Sequence, residues 1–244
     1  MVSKNQKKLI KSLYQKKYRK QHELFVAEGK KVIKELLDAN FELYALYTVD
    51  EEIFNIDDKL QFIVTEEELK QISFLATAQS VLAIFSTPKP REINDDGIVL
   101  LLDDIRDPGN LGTIIRLCDW FGVKELVCSN QTVDCFNPKV IQATMGSITR
   151  VNINYTDTVA FLQSQKEGAN IFGTFMDGDN IYPMQLPEQA VIIMGNEANG
   201  ISAEIENLVN KRIAIPQFGA GQKTESLNVA TATAIVLSEF KRSL

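Results

Sequence analysis

Apolar positions in the first third of the chain recur with two different periods. Lys4, Lys7, Lys8 and Lys11 fall within about 100° of one helical face and Leu9, Ile10 and Leu13 on another, which predicts an amphipathic helix with a cationic side. Helical spacing returns over residues 30–39 and 66–72, and strand-like runs fall at 43–49, 61–64 and 81–85. Residues 86–97 then hold two prolines, a glycine, five charges and one apolar residue, Ile93, the composition of a domain boundary. A small α/β domain is therefore expected over 1–90 and a second domain over 97–244. The second opens with an unbroken apolar run, 98–102, typical of a strand covered on both faces in a parallel sheet. Further strands are expected at 125–128, 150–153, 170–175, 190–194 and 212–215, mostly separated by helical patterns. That alternation predicts an α/β fold with a mostly parallel sheet and a ligand at the carboxyl ends of the strands.

With 244 residues, 45% hydrophobic and 24% charged, the chain can bury substantial cores, and disordered or collagen-like classes are excluded. The net charge of −6 argues by itself against a nucleic-acid partner. Its distribution reverses that. Residues 1–34 carry 11 Lys and Arg against 2 acids, whereas residues 35–95 carry 4 against 13. Lys16, Lys17, Arg19 and Lys20 are interleaved with Tyr14 and Tyr18, as on a surface that tracks phosphates and stacks bases. No run approaches the ~18 apolar residues of a membrane span, and the Lys-rich start lacks a secretory core, so a cytoplasmic protein is expected. Cys118, Cys128 and Cys135 are odd in number and show no metal-ligand spacing, and the single histidine, His22, lies in the basic segment. Reduced thiols and no metal site are expected.

Neither the dinucleotide fingerprint nor the P-loop is present where it should be; Gly219 to Thr224 resembles a P-loop only superficially and reads as a flexible loop. Three other motifs stand at strand ends. In the first, Asp107-Pro108-Gly109-Asn110 is a strong turn signal, and Leu111, Ile114, Ile115 and Cys118 form the buried stripe of the following helix. Arg116 falls roughly opposite that stripe. In the second, the strand Val191–Met194 ends in the polar turn Gly195-Asn196-Glu197-Ala198-Asn199-Gly200, with Ser202 as cap of the next helix. In the third, Ile213-Ala214-Ile215-Pro216 leads through a loop to Ser226-Leu227-Asn228-Val229 and an Ala-rich helix, with Ser226 as the expected N-cap.

Together, in this order, the three motifs resemble the SPOUT superfamily, specifically its SpoU (TrmH) branch of RNA 2′-O-ribose methyltransferases. The resemblance covers residues 97–244, and the first domain is similar to the family's L30e-like RNA-binding module. It implies a C-terminal trefoil knot and a homodimer built through the C-terminal helix. It also implies S-adenosylmethionine held by Gly195, Ile215 and Leu227. The matching arginine, Arg116, is expected to stabilise the developing alkoxide and clamp the adjacent phosphate, with a general-base role as the alternative. Asn110 and Glu197 would orient Arg116 and the ribose, and Ser226 and Asn228 would complete the pocket. One departure is the loop 217–225, about three residues longer than is common in the family, with Gln217 in place of a methionine. Lys223 within it could add an RNA contact. The implied substrate is structured RNA, ribosomal in the first instance. The alternatives are transfer RNA, and a catalytically silent RNA-binding or assembly factor on the same fold.

Overall fold

The computed structural model describes residues 2–219 and 226–242. The chain divides into two compact units, Met1–Lys89 with Asp134–Thr149, and Pro90–Val133 with Arg150–Leu244.

The first unit opens with helix α1 (Lys4–Ser12), started by a reciprocal capping box between Ser3 and Gln6. Helix α2 (Lys16–His22) follows and ends on Glu23 in the left-handed conformation. Strand β1 (Leu24–Glu28), helix α3 (Lys30–Asp38), strands β2 (Leu43–Thr48) and β3 (Gln61–Ile63), helix α4 (Glu66–Ile72) and strand β4 (Val81–Ser86) complete the N-terminal run. The sheet order is β1-β4-β2-β3, antiparallel except for the β2–β3 pair. Strand β1 lies where the sequence pattern carries no strand expectation. All five of its residues are buried, so the period-2 alternation that marks a half-exposed strand is missing.

The basic segment contributes to the core of the first unit. Ile10 and Leu13 are fully buried in one cluster with Val26, Tyr47, Leu82 and Ile84. Arg19 is only 4% exposed: its guanidinium donates to the carbonyls of Leu13 and Tyr14 at 2.8 Å and to Asp134 at 2.6 and 2.8 Å. Asp134 belongs to the second stretch of this unit, which also holds helix α6 (Pro138–Thr144) and packs Phe136 on Phe25 with ring centroids 4.8 Å apart. Residues 134–149 thus leave a chain that otherwise builds the second unit and complete the core of the first.

In the second unit, strands β5 (Ile98–Leu102), β6 (Glu125–Ser129), β7 (Asn152–Thr156), β8 (Ile171–Asn180), β9 (Ala190–Met194) and β10 (Lys211–Ala214) form one sheet, ordered β10-β8-β9-β5-β6-β7. Every pairing in it is parallel. Helices α5 (Pro108–Trp120), α7 (Thr158–Gln163), α8 (Ala203–Glu206) and α9 (Val229–Lys241) accompany it. β5, β6 and β9 are buried along their whole length, which is why they read as unbroken apolar runs. β8 runs five residues beyond its expected end because its polar second half, Met176–Asn180, still pairs with β10 across a register shift. At Gly178 a Cβ would lie 2.5 Å from the Ile213 backbone, so the shift requires glycine there. The cap of α9 is Asn228 rather than Ser226. Its Oδ1 accepts from the amides of Ala230 and Thr231, two residues later than the expected cap allows.

Candidate active site

The carboxyl end of β5 is tied to the turn after β9 by short polar contacts. Asp103 accepts the amide of Ser202 at 2.7 Å, and the side-chain amide of Asn196 donates to the carbonyl of Asp104 at 2.6 Å. Asn196 Oδ1 also accepts from the amides of Ala198 and Asn199, while the Asn196 and Gly200 backbones bond each other in both directions at 2.9 Å. This closes the turn over Gly195. A Cβ there would sit 2.3 Å from the Gly200 carbonyl carbon and 2.4 Å from the Ile201 nitrogen, so only glycine fits.

Asp107 caps α5 by accepting the Asn110 amide at 2.8 Å, with Pro108 at the first helical position. The cap fixes the start of α5, and with it Asn110. The side-chain nitrogen of Asn110 donates to Glu197 Oε1 at 2.9 Å, and its oxygen accepts from Asn228 Nδ2 at 2.8 Å. Glu197 also receives the amides of Arg106 and Asp107 at 3.4 and 3.5 Å. Asn110, Glu197 and Asn228, one from each motif, therefore form a single chain of hydrogen bonds. Asn228 is oriented by its capping bonds, so helix geometry rather than side-chain freedom sets the direction of the relay.

A cavity of about 750 Å³ opens beside this chain, lined by Met194 to Ile201, by Ile213 to Phe218, and by Ser226, Leu227 and Val229. Gly195, Ile215, Leu227, Glu197 and Ser226 all face it; Asn110, Asn228 and Arg116 do not line it. The volume lies within the ~300–1,000 Å³ of small-molecule sites, and the walls mix apolar side chains with strand-end backbone groups. Such walls fit an adenine and a ribose read through amides and carbonyls.

Arg116 stands apart from the relay, on the exposed face of α5, and makes no hydrogen bond or ion pair among the described residues. It is six residues beyond Asn110, about 9 Å along the helix axis. The orientation of Arg116 by Asn110 and Glu197 expected from the motifs is not formed: Glu197 instead binds Asn110 and the amides of Arg106 and Asp107. Asn196 and Asp103, absent from the sequence-based site, hold the two turns together; the signal for Asn196 was its place at the head of a turn closed by Gly200. His22 is exposed at the end of α2, and Cys118, Cys128 and Cys135 are buried, burial pushing the Cys118 thiol well above its ordinary range. Among the described residues no cluster of His, Cys, Asp or Glu could hold a metal ion, and no helix is long and apolar enough to cross a membrane. Lys223, and the P-loop-like residues from Ala220 to Thr224, lie outside the described residues.

Comparison with known proteins identifies these features. The SpoU rRNA Methylase family matches residues 97–238, and the MRM3-like substrate binding domain matches residues 4–83. The 23S rRNA (guanosine(2553)-2′-O)-methyltransferase RlmP of Bacillus subtilis is 29% identical over 98% of this chain and 97% of its own. A TrmH-family protein from Porphyromonas gingivalis superposes with a TM-score of 0.90 at 36% identity, covering 100% of both chains. An AdoMet-bound rRNA methyltransferase from Sinorhizobium meliloti superposes with a TM-score of 0.88 at 30% identity, covering 100% of this chain and 97% of that one. On the three motifs, the cavity lined by the second and third of them and these matches, the chain belongs to the SpoU rRNA methylase family.

Proposed function

We propose that the protein is an S-adenosylmethionine-dependent methyltransferase that modifies a ribose 2′-hydroxyl in ribosomal RNA. The observation that carries this reading is the Asn110–Glu197–Asn228 relay beside a cavity of cofactor size. Ribosomal RNA is preferred because the similarity to the Bacillus 23S rRNA enzyme extends through the first unit, which also matches a substrate-binding domain.

The chain's residues divide the work as follows. Gly195, Ile215 and Leu227 hold the cofactor, Gly195 by allowing backbone approach and the other two by apolar cover. S-adenosylmethionine supplies a methyl group on a cationic sulfonium, so its leaving group departs neutral. Glu197, Asn110 and Asn228 form a preorganised polar edge that positions the ribose, with the Ser226 hydroxyl completing it. Arg116 stabilises negative charge as it develops on the 2′-oxygen, whose proton passes to solvent water as the bond to the methyl carbon forms, and grips the adjacent phosphate, since a guanidinium stays protonated at neutral pH. The protein acts in the cytoplasm as a homodimer associated through α9, whose partly buried Ala234 and Ile235 lie away from the cavity that Ala232 lines. The C-terminal part of the chain, whose segments 195–200 and 213–216 both line the cavity, carries the trefoil knot of this superfamily on the same reading.

Ribose methylation mapped across total RNA, with and without the gene, tests the reading. One position lost on deletion and restored in vitro by the purified protein with S-adenosylmethionine is the expected result. A lost position in transfer RNA would move the substrate. An unchanged map, with no transfer in vitro, would leave the silent RNA-binding alternative standing.

A further inference from the structure

Among the described residues four that are not glycine adopt left-handed backbone angles: Glu23, Asn40, Asp104 and Met145. Glu23, Asn40 and Met145 follow the ends of α2, α3 and α6, where a left-handed residue closes the last turn. Asp104, at φ +58°, instead follows β5 and leads into the first motif. Three sets of contacts hold it there. Its amide donates to the buried Ser129 Oγ at 2.9 Å, and its carbonyl accepts from Asn196 at 2.6 Å. Its carboxylate accepts from Arg106 Nε at 3.0 and 3.1 Å and from Nη2 at 2.8 Å. A strained backbone angle that persists only because its surroundings over-determine it marks a functional constraint. The ion pair does not offset the strain, because the Arg106 side chain is 72% exposed and solvent screens such pairs.

What the arrangement fixes is the direction of Arg106, whose amide lies on Glu197. Asp104 first, and Glu197 after it, hold the guanidinium's pKa above its ordinary value, so the cation persists at any working pH. Nη1 has no hydrogen-bond partner among the described residues, which leaves the outer edge of the fork open to a ligand. The charge balance sets that ligand's sign. Residues 103–110 and 195–200, the two turns that carry Asn110 and Glu197, hold four carboxylates, Asp103, Asp104, Asp107 and Glu197, and one cation, Arg106. A polyanion whose ribose is to reach this rim meets repulsion everywhere but at that guanidinium. Resting on the function proposed above, we propose that Arg106 binds a second phosphodiester of the RNA strand, distinct from the one assigned to Arg116, and that Asp104 is the positioning residue that aims it. Carboxylate on the Nε edge and phosphate on the Nη1 edge use both sides of one planar fork.

Methylation of ribosomal RNA from cells lacking the protein, with KM and kcat measured separately, tests this. Arg106→Gln should raise KM for RNA by about fivefold or more and leave kcat within about threefold. Salt dependence of binding to the same RNA should flatten by about 0.7–0.9 in slope, the loss of one phosphate contact. Arg106→Lys should keep the slope and recover only part of the KM, because an ammonium carries the charge without the fork. Asp104→Asn keeps a residue that tolerates the left-handed angle and removes a negative charge. Simple repulsion would then give tighter RNA binding, whereas loss of aim raises KM by about threefold or more at an unchanged melting temperature. Affinity for S-adenosylmethionine in calorimetry should match the wild type in all three variants. An unchanged KM and slope in Arg106→Gln, or a KM in Asp104→Asn at or below that of the wild type, would overturn the proposal. So would a change in the sedimentation of Arg106→Gln, because the guanidinium would then serve a contact between two copies. If the wild-type protein transfers no methyl group, the proposed function falls, and the salt slope of RNA binding decides Arg106 by itself.

Discussion

Asn228 carries two duties in one side chain, and the two can be separated. Its oxygen caps α9 and its amide nitrogen donates to Asn110. In Asn228→Asp the cap survives, because aspartate accepts the same amides about equally well, but nothing remains to donate to Asn110 Oδ1. The variant should melt with the wild type and show kcat/KM reduced by about tenfold or more, because a positioned edge is then missing one polar partner. Parallel thermal unfolding and steady-state assays check this. Arg116 makes the complementary case, since nothing in the fold depends on its exposed guanidinium. Arg116→Ala should fold normally, bind S-adenosylmethionine in calorimetry nearly as the wild type does, and slow methyl transfer by at least about 10²-fold. Both residues stood out in the sequence by motif. That Arg116 is unbonded while Asn110 and Glu197 hold each other was not legible, because spacing along a helix gives a direction but not the partner met there.

Among the elements, the turn after β9 is the most constrained. Gly195 lies under the two-way Asn196–Gly200 bridge, where any side chain would meet backbone atoms that have nowhere to move. Gly195→Ala should therefore open the turn, weaken cofactor binding measured by calorimetry and lower the melting temperature. Normal cofactor affinity in a normally folded variant would remove the turn from the site. The unbroken apolar runs of β5 and β9 made both strands readable, since full burial in a parallel sheet leaves no polar position to confuse the pattern. β8 was readable only in its buried first half. Its continuation, Met176–Asn180, depends on a register shift opposite Gly178, and that is a property of the pair of strands rather than of either sequence.

For the whole molecule, two features govern stability and substrate capture. Arg19 and Asp134, 115 residues apart, form a largely buried ion pair that fastens the basic helices to the returning segment 134–149. Asp134→Ala leaves that guanidinium without its carboxylate and should cost about 3 kcal/mol, read as a lowered denaturant midpoint. The exposed lysines are a different matter. Removing residues 2–20 would tear out Ile10, Leu13 and Arg19, so RNA binding by this surface is better tested by substitution. Lys4, Lys8, Lys16, Lys17 and Lys20 changed together to Gln should leave stability intact and flatten the salt dependence of RNA binding, by about 0.7–0.9 in slope for each phosphate no longer neutralised. An unchanged slope would place the phosphate-binding groups elsewhere.

From the sequence alone came the alternation of elements, the parallel character of the second sheet, the three motifs at its strand ends and the concentration of positive charge in the first 34 residues. These are local properties, since periodicity, turn chemistry and charge are written within windows of about 5–20 residues. Tertiary structure decided that Asn228 reaches Asn110 from 118 residues away. It decided that 134–149 completes the first unit rather than the second. It also placed the basic helices on their own buried core, with Arg19 facing inward among lysines that face out. The reason is common to all three. A chain's pattern states which face of a segment must be covered, while the identity of the cover depends on long-range packing that no single window contains.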